Sequence, residues 1–176
     1  MKIEFAAPLQ DYDSSIMWTS VVYIPKHRIE ELGPEKNPRV KVTFNNTKEA
    51  HISVKSSGDI RYLVVNSEIR KALKLSVGES VNVLIEEEKS EYGMPMPEEF
   101  ALMLAEDEIG NKLFHELTPG KQRSLIYMVS KVKNVDAKIR KALAIVEHLN
   151  EAQGELEFRA LNEKMKEVNQ RFKNLP

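Results

Sequence analysis

The sequence predicts an α+β chain in two parts: a small six-stranded β-barrel with short helices over residues 1–88, then a C-terminal helical domain over residues 97–176. Three observations carry this expectation. Apolar residues recur with period 2 in the first half and with period 3.6 in the second. Between them a charged run from Glu86 to Glu91, followed by Gly93, Pro95 and Pro97, reads as a linker placed at residues 89–96.

The strands follow in order. Ile3 and Phe5 alternate with Lys2 and Glu4; Trp18, Ser20, Val22 and Ile24 oppose Met17, Thr19, Val21 and Tyr23; Val40, Val42 and Phe44 oppose Arg39, Lys41 and Thr43. Alternation continues at Ala50, Ile52 and Val54, loosens from Tyr62 to Val65, and returns at Val81, Val83 and Ile85. Turn chemistry separates these runs at Gly33-Pro34, Asn45-Asn46, Ser56 to Asp59 and Val77 to Glu79. Six short strands with one apolar face would expose that face and two edges if they lay flat, so a closed or half-closed barrel is expected.

The helices come next. Pro97 precedes Phe100, Met103 and Leu104; Thr118 and Pro119 open a second helix with Leu125, Met128, Val129 and Val132 on one stripe. Asp136 is expected to cap a third, striped by Ile139, Ala142, Leu143, Val146 and Leu149. Gly154 breaks the chain before a last helix, residues 155–173, with Leu161, Met165, Val168 and Phe172 inward.

Within the first half, Val22 to Gly33 and Leu63 to Leu75 share a strand, breaker and short-helix layout. A barrel of two related halves would show such an echo, as would chance. The segment Val65-Asn66-Ser67-Glu68-Ile69-Arg70-Lys71-Ala72-Leu73-Lys74-Leu75-Ser76-Val77-Gly78-Glu79-Ser80-Val81 resembles a family of unknown function that forms the amino-terminal domain of YdeI/OmpD-associated, or bacteriocin-protection, proteins. Leu117-Thr118-Pro119, Arg123, Ile126, Val129, Lys133 and Asp136 are similar to the pattern of the second domain of those proteins. The resemblance covers about residues 3–150, leaves the final helix outside, and implies a small β-barrel with two short helices, a following helical domain and a protective role with no catalytic residue. Where the family has an aromatic pair this chain has Leu125 and Met128, and where it has Thr-Arg this chain has Ala137-Lys138. The strand, turn and helix unit also resembles half of an AbrB/MazE-type DNA-binding barrel, which implies nucleic-acid binding as an alternative function.

Composition narrows the chemistry. Without cysteine there is no disulfide, thiolate zinc site or cysteine nucleophile. The longest apolar run, Phe100 to Ala105, falls far short of the roughly 18 residues of a membrane span, and no apolar signal core precedes Asp11, so a cytoplasmic protein without membrane insertion is expected. His27, His51, His115 and His148 stand apart from one another and from carboxylate pairs at metal spacing. The serines lack a nucleophile elbow, and the single glycines cannot make a phosphate nest. Neither an enzyme nor a cofactor is expected. A ligand in the barrel mouth near Trp18, Tyr23, Phe44 and Tyr62 is a third functional reading, although six strands enclose little space.

Charge placement says more than the net charge of −1. Nine acids face one base from Glu86 to Glu108, and eight bases face two acids from Lys112 to Lys141. These segments either neutralise each other across the helical domain or leave a basic face for an acidic protein partner. Arg123, Tyr127 and Lys131 recur at i, i+4 and i+8 opposite an apolar stripe and, with Lys138 and Lys141, form the candidate partner-binding set. A nucleic-acid reader would instead need Lys26, Arg28, Arg61, Arg70 and Lys71 on one face, yet residues 1–88 carry 12 bases against 13 acids. Any such binding is therefore expected to be weak.

Overall fold

The computed structural model describes residues 1–12 and 20–173. The expectations placed on Ser14, Ser15, Met17, Trp18 and Thr19 lie outside the described residues. Contacts divide the chain into two compact units, Met1–Lys89 and Ser90–Pro176.

The first unit is built on two antiparallel four-stranded sheets. Its strands are β1 (Lys2–Pro8), β2 (Gln10–Asp11), β3 (Ser20–Tyr23), β4 (Arg39–Phe44), β5 (Lys48–Ser53), β6 (Lys55–Ser57), β7 (Ile60–Val65) and β8 (Ser80–Glu87). One sheet runs β1-β8-β4-β5 and the other β2-β3-β7-β6. The expected six-stranded barrel is thus corrected: eight strands are present among the described residues and their ladder does not close. The two extra strands, β2 and β6, span 2 and 3 residues, too short to show alternation. Each arises where the chain leaves one sheet for the other, at Leu9 after β1 and at Val54 after β5.

Both corner residues are fully buried. Their backbone groups are satisfied away from the ladder: Leu9 N donates to Glu79 O at 2.8 Å, and Val54 N donates to Pro38 O at 2.9 Å. The apolar faces then cover each other, with Ile3, Val42, Phe44, Val83 and Ile85 of one sheet and Val22, Leu63 and Val65 of the other in a single core. The first strand pairs with the last, from Lys2 opposite Glu86 to Pro8 opposite Ser80.

The two echoed segments are neighbours, since β3 pairs with β7 and Tyr23 lies opposite Tyr62. Their helices differ in kind. After β3 comes a 3-10 helix, Lys26–Leu32, that stops at Gly33 with φ 81°. After β7 comes α1, Ser67–Leu73, whose N-cap Asn66 accepts from Ile69 N at 2.9 Å.

The second unit holds α2 (Glu98–Glu106), α3 (Glu108–Glu116), α4 (Pro119–Ser130), α5 (Val135–Glu151) and α6 (Phe158–Lys173). Helix α3 goes beyond the sequence reading; Asp107 caps it by accepting from Gly110 N at 2.7 Å. The cap expected at Asp136 is Asn134, which accepts from Ala137 N at 2.9 Å, while Asp136 sits in the first turn. Leu161, Met165 and Val168 enter the core as expected, but Phe172 is 38% exposed with the Arg140 guanidinium 5.9 Å from its ring. Of the segment read as a linker, Tyr92, Met94 and Met96 lie against the helical core, and Tyr92 Oη is 2.9 Å from His115 Nε2. No helix among the described residues is long and apolar enough to cross a membrane.

Helix α5 comes close to α3 at Gly110, where an added Cβ would stand 2.7 Å from Val146 Cγ1 and 3.1 Å from Asp107 Oδ1. Gly110→Ala is expected to cost about 1–3 kcal/mol despite the better helix propensity of alanine, because Val146 is buried and stiff. Chemical denaturation checks this, and Val146→Ala added to the same chain should recover part of the loss.

His148 on α5 is 5% exposed and accepts at Nε2 from Glu157 N at 3.4 Å. Burial pulls its pKa below the ordinary 6.5, against the opposing pull of Glu151 and Glu157. A lowered native value means that the unfolded chain takes up the proton first, so this group removes stability as pH falls through 6.5. The stability gap between the parent and His148→Gln should narrow between about pH 7.5 and about pH 5. A gap constant across that range would show that His148 is not held neutral.

Lys89, with its side chain 80% exposed, ends the first unit. Brief trypsin treatment should cut first after Lys89 and leave two resistant fragments; first cuts inside either half would contradict the two-unit division.

Candidate functional site

Helix α4 buries Leu125, Ile126 and Val129 and so turns Tyr127 and Lys131 outward, with Arg123 half-buried beside them. Tyr127 is 46% exposed, and the Lys131 ammonium stands 4.9 Å from its ring centroid. This is the arrangement that spacing at i, i+4 and i+8 implied. The other two members of the set are engaged internally. Lys138 reaches Glu99 at 3.1 and 3.3 Å, and Lys141 donates to Met128 O at 3.2 Å, near the end of α4. The Glu99 carboxyl is held below the usual carboxylate value, by its own backbone N–H first and by Lys138 second. Arg123, Tyr127 and Lys131 lie along one side of α4.

Three of the five candidate nucleic-acid-binding residues, Arg28, Arg61 and Arg70, are used within the first unit. Arg28 pairs with Glu31 at 2.7 Å and donates to Glu4 O at 2.7 Å; Arg61 donates to Gly58 O at 3.1 Å. Arg70 donates to Ser20 Oγ at 3.0 Å, and that hydroxyl donates in turn to Asp11 at 3.4 Å. Ser20 is 1% exposed, so this chain of polar contacts ties α1 to β3 and β2 at the margin of the core. Lys26 and Lys71 are exposed, and Arg70 and Lys71 share a shallow depression with Ser67, Lys74 and Leu75.

The aromatics expected at a barrel mouth separate. Phe44 is a fully buried core residue. Tyr23 and Tyr62 lie on the opposite face of their strands from Val22 and Leu63, and Tyr12 stacks on Tyr62 at 5.0 Å. The hydrogen bond with Tyr12, followed by burial, pushes the Tyr62 phenol up to about 12. Sequence reading missed Tyr12, because nothing in a lone tyrosine after a two-residue strand marks a stacking partner 50 positions away.

A second cluster that spacing did not reveal lies across β4, β5 and β8. Lys41 stands opposite His51 on one side and Glu86 on the other, and its ammonium is 3.5 Å from Glu49 and 3.4 Å from Glu86. Those carboxylates, Glu49 foremost, raise the Lys41 pKa. His51 Nδ1 contacts the nearly buried Glu88 carboxylate. The arrangement is a cross-strand charge ladder of the kind that fixes register. Among the described residues no group of three or more histidine, cysteine, aspartate or glutamate side chains could hold a metal ion.

Comparison with known proteins follows the division into units. Residues 5–85 match the family described as a domain of unknown function (DUF1905), and residues 93–152 match the family described as bacteriocin-protection, YdeI or OmpD-associated. No curated protein matches the sequence significantly. Helix α6, from Phe158, falls beyond both matches. One match falls on the paired sheets and the other on α2 to α5, so the chain is similar to the domain of unknown function in its first unit and to the YdeI/OmpD-associated, bacteriocin-protection family in its second, in the order that the resemblance implied.

Proposed function

We propose that the protein is a non-enzymatic interaction module in bacteriocin or stress protection, working in the cytoplasm, and that the Arg123, Tyr127 and Lys131 edge of α4 takes up an acidic protein partner. The observation that carries this reading is the exposed Tyr127 ring with the Lys131 ammonium 4.9 Å from its centroid. A ring and a cation held together offer apolar area and charge to one incoming carboxylate-bearing surface, the chemistry enriched at protein interfaces. The family description of residues 93–152 supports the protective direction. Arg123 adds a second cation one turn away and makes no ion pair among the described residues.

Nucleic acid is the less favoured partner. Of Lys26, Arg28, Arg61, Arg70 and Lys71, three have their guanidinium groups committed to Glu31, Gly58 O and Ser20. A reader of phosphates needs several cations free at once.

The double reversal Arg123→Glu with Lys131→Glu tests the proposal. It should leave the thermal midpoint little changed, since Lys131 is exposed and Arg123, half-buried, makes no ion pair among the described residues. Binding of a fluorescent Asp/Glu-rich peptide at low salt should fall by about tenfold or more, because like charges across an interface cost several kcal/mol. In cells, the parent but not the double variant should restore bacteriocin survival to a deletion strain. Equal peptide binding by the parent and the variant would remove the edge as a partner surface.

A further inference from the structure

Between α2 and α5 the helical unit leaves an apolar groove open. Leu102, Met103, Val135 and Ile139 form its floor, and Glu98, Glu99 and Glu106 form its rim, around a cavity of 460 Å³. Leu102 is 58% exposed and Val135 55%. Neither is needed for the core, because α2 already buries Phe100 and Leu104, and α5 buries Ala142, Ile145, Val146 and Leu149. Two large aliphatic side chains left open across one groove mark a contact surface.

The rim says what would cover it. Glu99 is answered by Lys138 at 3.1 Å, whereas Glu98 and Glu106 have no cationic partner among the described residues. Glu106 is the last residue of α2 and directly precedes Asp107, the N-cap of α3, so it stands where two helix ends meet and points its charge at no cation among the described residues. Glu98, Leu102 and Glu106 follow at i, i+4 and i+8 and make one ridge, which sets the two carboxylates about 12 Å apart at the helical rise.

We propose that this groove receives a cationic amphipathic helix of a partner protein. Its apolar face lies on Leu102, Met103, Val135 and Ile139, as a third helix fits the furrow between two others, and two of its Lys or Arg residues about two turns apart meet Glu98 and Glu106. The proposal does not rest on the α4 edge, which has the opposite charge and a different set of residues.

The experiment uses the full chain and two fluorescent peptides with the same leucine face, one bearing lysines about seven residues apart at its margin and the other glutamates. Anisotropy should show the lysine peptide binding at least about tenfold more tightly than the glutamate peptide. Glu98→Lys with Glu106→Lys should reverse that preference, and Leu102→Asp should abolish binding of both peptides. The thermal midpoint of the Glu98→Lys with Glu106→Lys chain is measured beside its affinities, and its gained affinity for the glutamate peptide could not come from unfolding. Equal affinity for the two peptides, or binding indifferent to Leu102→Asp, overturns the proposal. Self-association abolished by Leu102→Asp, without peptide binding, also overturns it and assigns the groove to a second copy of the chain. None of these results bears on the Arg123 and Lys131 variant, so the two surfaces fail separately.

Discussion

Helix α5 is the element on which the second unit depends, for α2, α3, α4 and α6 all pack against it. A helix touched from so many sides has little room for a polar stripe, and Ala142, Ala144, Ile145, Val146, His148 and Leu149 are all buried. Two alanines let neighbouring backbones approach, and Gly110 of α3 completes the fit by presenting no side chain to Val146. His148, buried inside this arrangement, is consequently held toward its neutral form. What α5 leaves uncovered is its first turn, and there Val135 opens onto α2.

The charge pattern resolves differently from a simple exchange between an acidic segment and a basic one. Lys138 with Glu99 is one such exchange. Much of the remaining pairing joins α5 to α6, where Arg171 holds Glu147 at 2.7 Å, Lys164 holds Glu151 at 2.8 Å, and Arg140 donates to Asn169 at 3.0 Å. These α6 cations answer Glu147 and Glu151, which lie outside both segments, and Glu98 and Glu106 keep no cationic partner among the described residues. The Arg171 side chain is 47% exposed, so its pair with Glu147 contributes little stability.

Much of the fold was legible because alternation needs only four or more residues to declare itself, as at Val40 to Phe44 or Val81 to Ile85. Strands β2 and β6 fall below that length, and α3 is hidden by a glycine and by charges that interrupt its stripe. Asn134 and Asp136 are equally good caps by type, and only the backbone decides between them. The candidate edge was half legible for a related reason. Helical spacing put Arg123, Tyr127 and Lys131 together, but the partners of Lys138, Arg70 and Tyr62 lie 39, 50 and 50 positions away and are brought in by packing. Spacing rules see one element at a time, and these contacts belong to two.

The pairing of β1 with β8 fixes when the first unit can exist during synthesis. Register from Lys2–Glu86 to Pro8–Ser80 joins the first strand made to the last, and β4 completes its pairing only when β8 arrives between it and β1. Until β8 has been made, the inward faces of β1 and β4 lack their common neighbour, and the emerging chain presents unpaired strand edges. The helical unit, whose contacts join elements closer in sequence, faces a smaller loop-closure cost and carries its own core. A nascent chain therefore passes through an interval in which β4 and β5 can pair but β1 and the free edge of β4 still wait for β8, the interval in which a ribosome-associated chaperone would matter most to it.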